Sequence, residues 1–390
     1  MADLGTTTPT QWSQWADQIH AAAAEGERIR IRGGGTKDFL GDLRQGDWVL
    51  DTSDWTGIES HEPTELVVRA RGGTPLAELE AVLASKGQYL AFEPPRFAWA
   101  SPEGATVGGM VAAGLSGPSR VSRGAVRDHV LGCTVMNGQG QVLRFGGSVM
   151  KNVAGFDLSR VMAGSMGTLG VLLDVTLKVM PQPVSSATLR IEMTEAEALL
   201  QVNQWAGQPI PLDASAWWDG MLVLRLRGAR AAVASSVQRL YKERGGELIA
   251  PPLAEGFWQG LRDQSDEFFV KARDAVNRGG AHGVTLWRLS VPSTAAPLGL
   301  PGEQLIEWFG AQRWVCTSAP AEAVQDLARR AGGHAQPFVS AQARPLADEA
   351  DWSGVMQRLH ERVQMAFDPR GVFLTGRKWG ARPGAVASRS

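Results

Sequence analysis

The sequence predicts an α+β protein with two main units, on three observations. At 390 residues the chain is longer than one hydrophobic core usually organises. Segments with apolar residues at helical spacing are interleaved with short segments of strand-like alternation. Glycine gathers in three clusters before Pro181 and Pro183 punctuate the chain. A boundary there divides the chain into residues 1–183, residues 184–345 and a last stretch, 346–390, that returns to the first unit.

Taken in order, residues 10–24 read as a helix, with Trp12, Trp15, Ile19 and Ala22 or Ala23 on one face and Gly26 just past its end. Ile29 and Ile31 then alternate with arginines, as in a half-buried strand, until Gly33, Gly34 and Gly35 stop it. A strand running into three glycines and Thr36 presents successive backbone N–H groups in one concavity, the kind of nest that holds a pyrophosphate; a bare turn is the other reading. No Gly-Lys-Ser/Thr follows at Walker spacing and the run is not GxGxxG, so a nucleotide would be held in another way. Residues 48–51 and 65–70 read as strands. Thr74 is placed as an N-cap with Pro75 at the first helical position, ahead of an apolar face of Leu76, Leu79, Val82 and Leu83 that Gly87 ends.

The second cluster, GATVGGMVAAGLSG at residues 104–117, holds five glycines and no charge. A backbone this bare can lie against a large flat ligand or against another helix. Residues 107–113 within it read as a short helix. From Arg127, two strands flank Asn137-Gly138, a hairpin signal, with His129 at the start of the first as a structural hydrogen-bonding residue. The third cluster, GSMGTLG at residues 164–170, runs into a clean alternation of Val171, Leu173, Val175, Leu177 and Val179.

Beyond the boundary, residues 214–227 read as strands, 229–243 and 254–269 as helices, 283–291 and 312–318 as strands and 321–330 as a helix. This pattern predicts a small antiparallel sheet with helices on one face. Trp217, Trp218, Trp258, Trp287, Trp308 and Trp314 are expected in the core or at a partner interface rather than stacked on a substrate. Residues 350–367 read as a helix leading back to the first unit.

Composition narrows the function. Lys plus Arg number 39 against 40 Asp plus Glu, with no like-charge block, so nucleic acid and membrane-surface partners are not indicated. The polar start and the lack of any long apolar run predict a cytoplasmic protein without a membrane span. Cys133 and Cys316, the only cysteines, support neither a disulfide framework nor a zinc or iron–sulfur site and are expected to be buried. His20, His61, His129, His282, His334 and His360 show no metal-ligand spacing, and HExxH and GxSxG are absent.

Six stretches carry a more specific message: RGGGT (32–36), residues 104–117, RDHVLG (127–132), KNVAGFDL (151–158), GSMGTLGV (164–171) and FDPRGVF (367–373). In their order and spacing the chain resembles the FAD-binding oxidoreductases of the vanillyl-alcohol oxidase, or PCMH, type, strongly over residues 28–182 and weakly at the end. Within that family it is most similar to the FAD-binding E subunits of glycolate oxidases, which work with a larger flavoprotein and an iron–sulfur subunit. The resemblance implies a PCMH-type FAD-binding domain of two α+β subdomains at residues 1–183, with the flavin between them, followed by an α+β cap. It implies that Gly33, Gly34, Gly35 and Thr36 wrap the pyrophosphate beside Arg32. Thr106, Gly108, Gly109, Gly114, Ser116 and Gly117 would line the ribityl and pyrophosphate side, while Gly170 and Val171 reach the adenine with main-chain groups.

Some members attach FAD to a histidine next to the first loop; Thr36-Lys37 stands there in this chain, so noncovalent FAD is expected. Met166 occupies a position that is often acidic in relatives. Leu374 to Arg377 replace a usual Asn-Pro-Gly-Lys/Arg, which puts leucine where a polar group is expected near the flavin ring. Oxidising a 2-hydroxy acid needs an acceptor for the hydroxyl proton and a cation for the carboxylate. The sequence identifies no base; Arg377 is the candidate cation, an ion pair elsewhere being its other reading. The resemblance therefore implies an FAD-binding subunit of a glycolate oxidase complex, passing electrons to its partners and attached to a membrane only through them. A stand-alone FAD-dependent D-2-hydroxy-acid dehydrogenase and a flavin-free scaffold are the alternatives.

Overall fold

Helix α1 (Thr10–Glu25) buries Trp15, Ile19 and Ala22, the stripe its spacing predicts, against the parallel pair β1 (Ile29–Arg32) and β2 (Trp48–Asp51). The computed structural model describes residues 10–41, 48–147, 157–279, 283–341 and 354–373. Arg377, His282 and most of the KNVAGFDL stretch lie outside them. The first half continues through β3 (Ile58–Glu62), β4 (Val67–Arg71), α2 (Leu76–Ala84), β5 (Gln88–Tyr89), α3 (Val107–Ala113), α4 (Arg120–Arg123), α5 (Val126–His129), β6 (Val130–Met136), β7 (Val142–Gly146), β8 (Val171–Lys178) and β9 (Met180–Pro181).

Five of these strands form an antiparallel sheet in the order β3-β4-β8-β6-β7. The alternation seen in the sequence of β8 places it at the centre, where all but its last residue are buried. Asn137 makes the β6–β7 turn, its Oδ1 accepting from the Gln139 and Gln141 amides at 2.9 Å. Leu76, Leu79 and Leu83 of α2 and Val107 and Val111 of α3 pack on the sheet as one core. Thr74 does not cap α2 as expected. Pro75 takes the N-cap position, and the Thr74 hydroxyl pairs with the Gly57 backbone instead. His129 closes α5, and its ring meets the Lys178 and Arg123 carbonyls, the structural role expected of it. Cys133 is buried, which pushes its thiol up to about 12. Cys316 is only half-buried, contrary to expectation.

The second half consists of β10 (Ser185–Glu192), α6 (Glu195–Ala206), β11 (Leu212–Trp218), β12 (Met221–Gly228), α7 (Arg230–Arg244), β13 (Glu247–Leu248), α8 (Pro251–Asp263), α9 (Glu267–Gly279), β14 (Thr285–Ser290), β15 (Glu303–Glu307), β16 (Gln312–Thr317), α10 (Ala321–Arg330) and β17 (His334–Ser340). Its antiparallel sheet is eight strands wide, ordered β13-β10-β12-β11-β15-β16-β14-β17, and so wider than the small sheet expected. Polar, Pro-bearing β17 and short β13 gave no strand signal. Helices cover both faces rather than one. Leu222, Leu224 and Leu226 of β12 meet α6 and α7, whereas Val223 faces α8 and α9. A strand buried on both sides is apolar at successive positions, which hides its second face from a period-two reading. The single helix expected over 254–269 is two, separated at Gln264, which takes a left-handed φ of 54°. None of the six tryptophans named above is exposed.

Helix α11 (Gly354–Phe367) brings the chain back. Phe367 joins the first core, and Val372 and Phe373 join α1 and β1. Asp368 accepts from the Val372 and Phe373 amides at 3.0 and 2.8 Å, so FDPRGVF is a buried turn.

The two halves meet at a buried ionic hub. Arg225 of β12, 2% exposed, donates to Asp213 and Glu93 at 2.7 Å each and to the Ser119 hydroxyl at 2.6 Å. Arg227 reaches Glu93 at 2.9 Å, and Arg123 reaches Asp213 at the same distance. Burial alone would raise the Glu93 carboxyl; Arg225 and Arg227 outweigh it, and the Ser119 amide adds to them, bringing it down to about 2.

Two outcomes follow from this hub. Arg225→Ala leaves Glu93 and Asp213 buried without their cation and is expected to cost about 3–5 kcal/mol in urea unfolding. Because the folded Glu93 value lies below its ordinary 4.5, its contribution is complete above that pH and is lost as pH falls from there toward 2. The loss is on the order of 3 kcal/mol, and an acid titration of stability that Glu93→Gln leaves unchanged would contradict the assignment.

Candidate functional site

Three glycine bends, far apart in sequence, fold onto one cleft. The first approaches the second so closely that a Cβ on Gly34 would sit 1.7 Å from the Gly104 carbonyl oxygen, and one on Gly33 would sit 2.4 Å from Thr106 Oγ1. The third is stitched to α3 by the Gly164 amide on the Val111 carbonyl and the Met166 amide on the Ala112 carbonyl, at 3.0 and 2.8 Å. A Cβ on Gly114 would meet Gly164 N at 2.7 Å. Glycine is required at these crossings because no side chain fits between the backbones.

Residues 31–38, Thr106, Gly108, Gly109, Gly167 and Gly170 line the cleft. Among the described residues, the amides of Gly33, Gly34, Gly35 and Thr36 donate to no protein acceptor. Gly35 has a φ of 69°, which turns the run into a concavity of N–H groups suited to an anion. Cations flank it. Arg32 pairs with Asp38 at 3.0 Å and Glu103 at 2.8 Å. Lys37 is buried and donates to Thr36 Oγ1 at 3.0 Å and to the Pro95 carbonyl at 3.3 Å. Burial, only partly offset by Asp263, lowers its ammonium to about 8. The chemistry of this donor set fits a pyrophosphate. Lys37 was not singled out as a ligand in the sequence, where it reads as one more charge after a turn.

The structure separates the remaining expected residues. Gly114 packs on the third cluster, and Val171 lies with its side chain in the core on β8, which leaves its main-chain groups for the role expected of it. Met166, in place of an acidic residue, lines the cleft with a left-handed φ of 55°. Ser116 and Gly117 face a second, narrower pocket at the junction with the eight-stranded sheet.

The junction pocket holds a polar group that nothing in the sequence pattern marked. Glu307 accepts from Trp314 Nε1 at 2.7 Å and Gln312 Nε2 at 3.2 Å. Gln312 Oε1 in turn accepts from Arg288 Nε at 2.8 Å. Burial raises the Glu307 carboxyl to about 7 against the opposing hydrogen bonds and the attraction of Arg288. Burial, then the neighbouring Arg120, lowers Arg288 to about 10. Trp308 Nε1 donates to the Gly117 carbonyl at 3.0 Å, which fastens this group to the second glycine cluster. No trio of potential metal-ligating side chains occurs among the described residues.

Known proteins show corresponding features. Residues 4–146 match the FAD binding domain family. The chain is 42% identical over 363 residues to glycolate oxidase subunit GlcE of Escherichia coli (strain K12), covering 93% of this chain and 96% of that one. It is 30% identical over 159 residues to glycolate oxidase subunit GlcD of Bacillus subtilis (strain 168), covering 40% of this chain and 33% of the relative. The solved structure of alkyldihydroxyacetonephosphate synthase superposes with a TM-score of 0.64 over 92% of this chain and 73% of its own, at 14% identity, a likeness of fold. With its glycine-lined cleft and an identity that extends along nearly the whole of both sequences, the chain belongs to the FAD-binding oxidoreductase family of glycolate oxidase subunit GlcE.

Proposed function

We propose that the chain is the FAD-binding subunit of a complex that oxidises glycolate to glyoxylate, with electrons passing to a larger flavoprotein subunit and an iron–sulfur subunit. The observation that carries this reading is the convergence of three glycine bends on a single anion-ready cleft in a GlcE relative. Residues 1–183 act as the FAD domain and residues 184–345 as the cap. The Gly33, Gly34, Gly35 and Thr36 amides and Lys37 hold the pyrophosphate. Thr106, Gly108 and Gly109 leave the backbone bare beside it, and Gly170 serves the adenosine end. Bound FAD supplies a two-electron acceptor. Thr36-Lys37 puts no histidine next to the first loop, which supports noncovalent attachment. Among the described residues no helix is long and apolar enough to cross a membrane.

Acid precipitation is expected to release the flavin into the supernatant, and a yellow pellet would contradict noncovalent binding. Gly34→Ala should reduce flavin bound per chain roughly tenfold or more, read as the flavin-to-protein absorbance ratio, since its methyl group collides with the Gly104 carbonyl. Co-purification with the two partner subunits, and reduction of the flavin of that assembly by glycolate, tests the functional reading directly. An assembly that glycolate does not reduce would refute it.

A further inference from the structure

The junction pocket has more polar capacity than packing requires. Gln264, 3% exposed, lines it, and its Oε1 lacks a hydrogen-bond partner, so one residue of the lining carries a buried, unpaired acceptor. Two guanidiniums lie over the Trp308 ring, Arg120 at 4.5 Å and Arg288 at 5.4 Å. Among the described residues neither has a carboxylate at salt-bridge distance. Like charges gathered in a partly desolvated place favour an anion between or beside them. Arg262, which also lines the pocket, is already engaged by Asp263. Directly after Glu307, Trp308 and Phe309 adopt left-handed φ values of 55° and 58°. Strain of this kind in two successive non-glycine residues persists where the surroundings hold a functional geometry.

We infer that this pocket is the subsite for a small 2-hydroxy carboxylate, with Arg288 pairing with the carboxylate and Glu307 accepting a hydrogen bond from the hydroxyl. The inference rests on the hydroxy-acid reading above and adds the residues that recognise the acid. Gln312 positions both groups, because its amide bridges them. Trp314 holds Glu307 from the other side. Gly117, tied to Trp308, puts the subsite next to the second glycine cluster. The charged groups acting on Glu307 are Arg288, which attracts it, and Glu93, which repels it; Arg120 acts on Arg288. Arg288 and Glu307 line the pocket, and Arg120, which acts on Arg288, adds a second positive charge nearby.

The test is calorimetric titration of the FAD-loaded, full-length chain with oxalate, an unreactive two-carbon acid. One site per chain is expected. Arg288→Met should weaken it about 30-fold, with flavin content and thermal midpoint retained. Should that variant fail to fold, the nearly isosteric Glu307→Gln serves: by removing a carboxylate from beside the anion it should tighten oxalate about threefold well above neutral pH. Absence of oxalate binding to the parent chain, or affinities unchanged in the variants, would overturn the inference. Glycolate oxidation by the intact assembly is read separately. If it persists while oxalate binding ignores Arg288, only the subsite is lost. If it is absent from an assembly whose chain binds oxalate through Arg288, the proposed function is lost and the subsite stands.

Discussion

The arrangement depends on one buried cation. Arg225 satisfies Glu93 from the first half of the chain, Asp213 from the neighbouring strand and the Ser119 hydroxyl just after the second glycine cluster. Its ring-face contact with Trp258, at 4.7 Å, adds a third direction of restraint. A buried ionic group of this kind is weak as a source of net stability but strict about geometry, since every misaligned arrangement leaves a charge without its partner. The consequence is positional. β11 and β12 are pinned against residues 117–119, and β15, β16 and β14 follow them across the sheet, so Glu307, Gln312 and Arg288 arrive at the mouth of the glycine cluster without touching the hub.

Glu93 pays for its place in that hub with a left-handed φ of 49°. Its carbonyl also lies so near Gly117 that a Cβ there would stand 2.5 Å away. The same few residues therefore set both the ion pairs and the glycine requirement. Gly117 also lines the junction pocket, so a change that slackens the hub acts on that pocket.

What was legible in the sequence was local. Helices α1, α3 and α10 and the β6–β7 hairpin were read close to their observed bounds because their apolar spacing and turn residues lie within a few positions of each other. The glycine bends were legible as backbones stripped for close approach, and the cleft confirms that they meet. The hub was not legible. Glu93-Pro94-Pro95 reads as a rigid turn, and Arg225 and Arg227 read as the polar face of a strand, because nothing local reports that they meet across the domain junction. Gln264 was missed for a related reason: a left-handed break without glycine has no compositional mark. Arg288, Glu307 and Gln312 come from three strands whose order in the sheet no periodicity encodes, so their chemistry emerges only when the strands are assembled. Val171 was expected to act through its main chain, and strand alternation sends its side chain to the core.

The return of the chain after α11 has a consequence for how the protein is made. The Ile29 amide, at the first residue of β1, donates to the Val372 carbonyl at 2.8 Å, and Val372 and Phe373 fill the space beneath α1. The strand that delivers the first glycine bend thus waits for residues more than 300 positions later before its edge and underside are closed. During synthesis the amino-terminal half emerges before the residues that close β1 and the underside of α1, which can join it only after translation has passed Phe373.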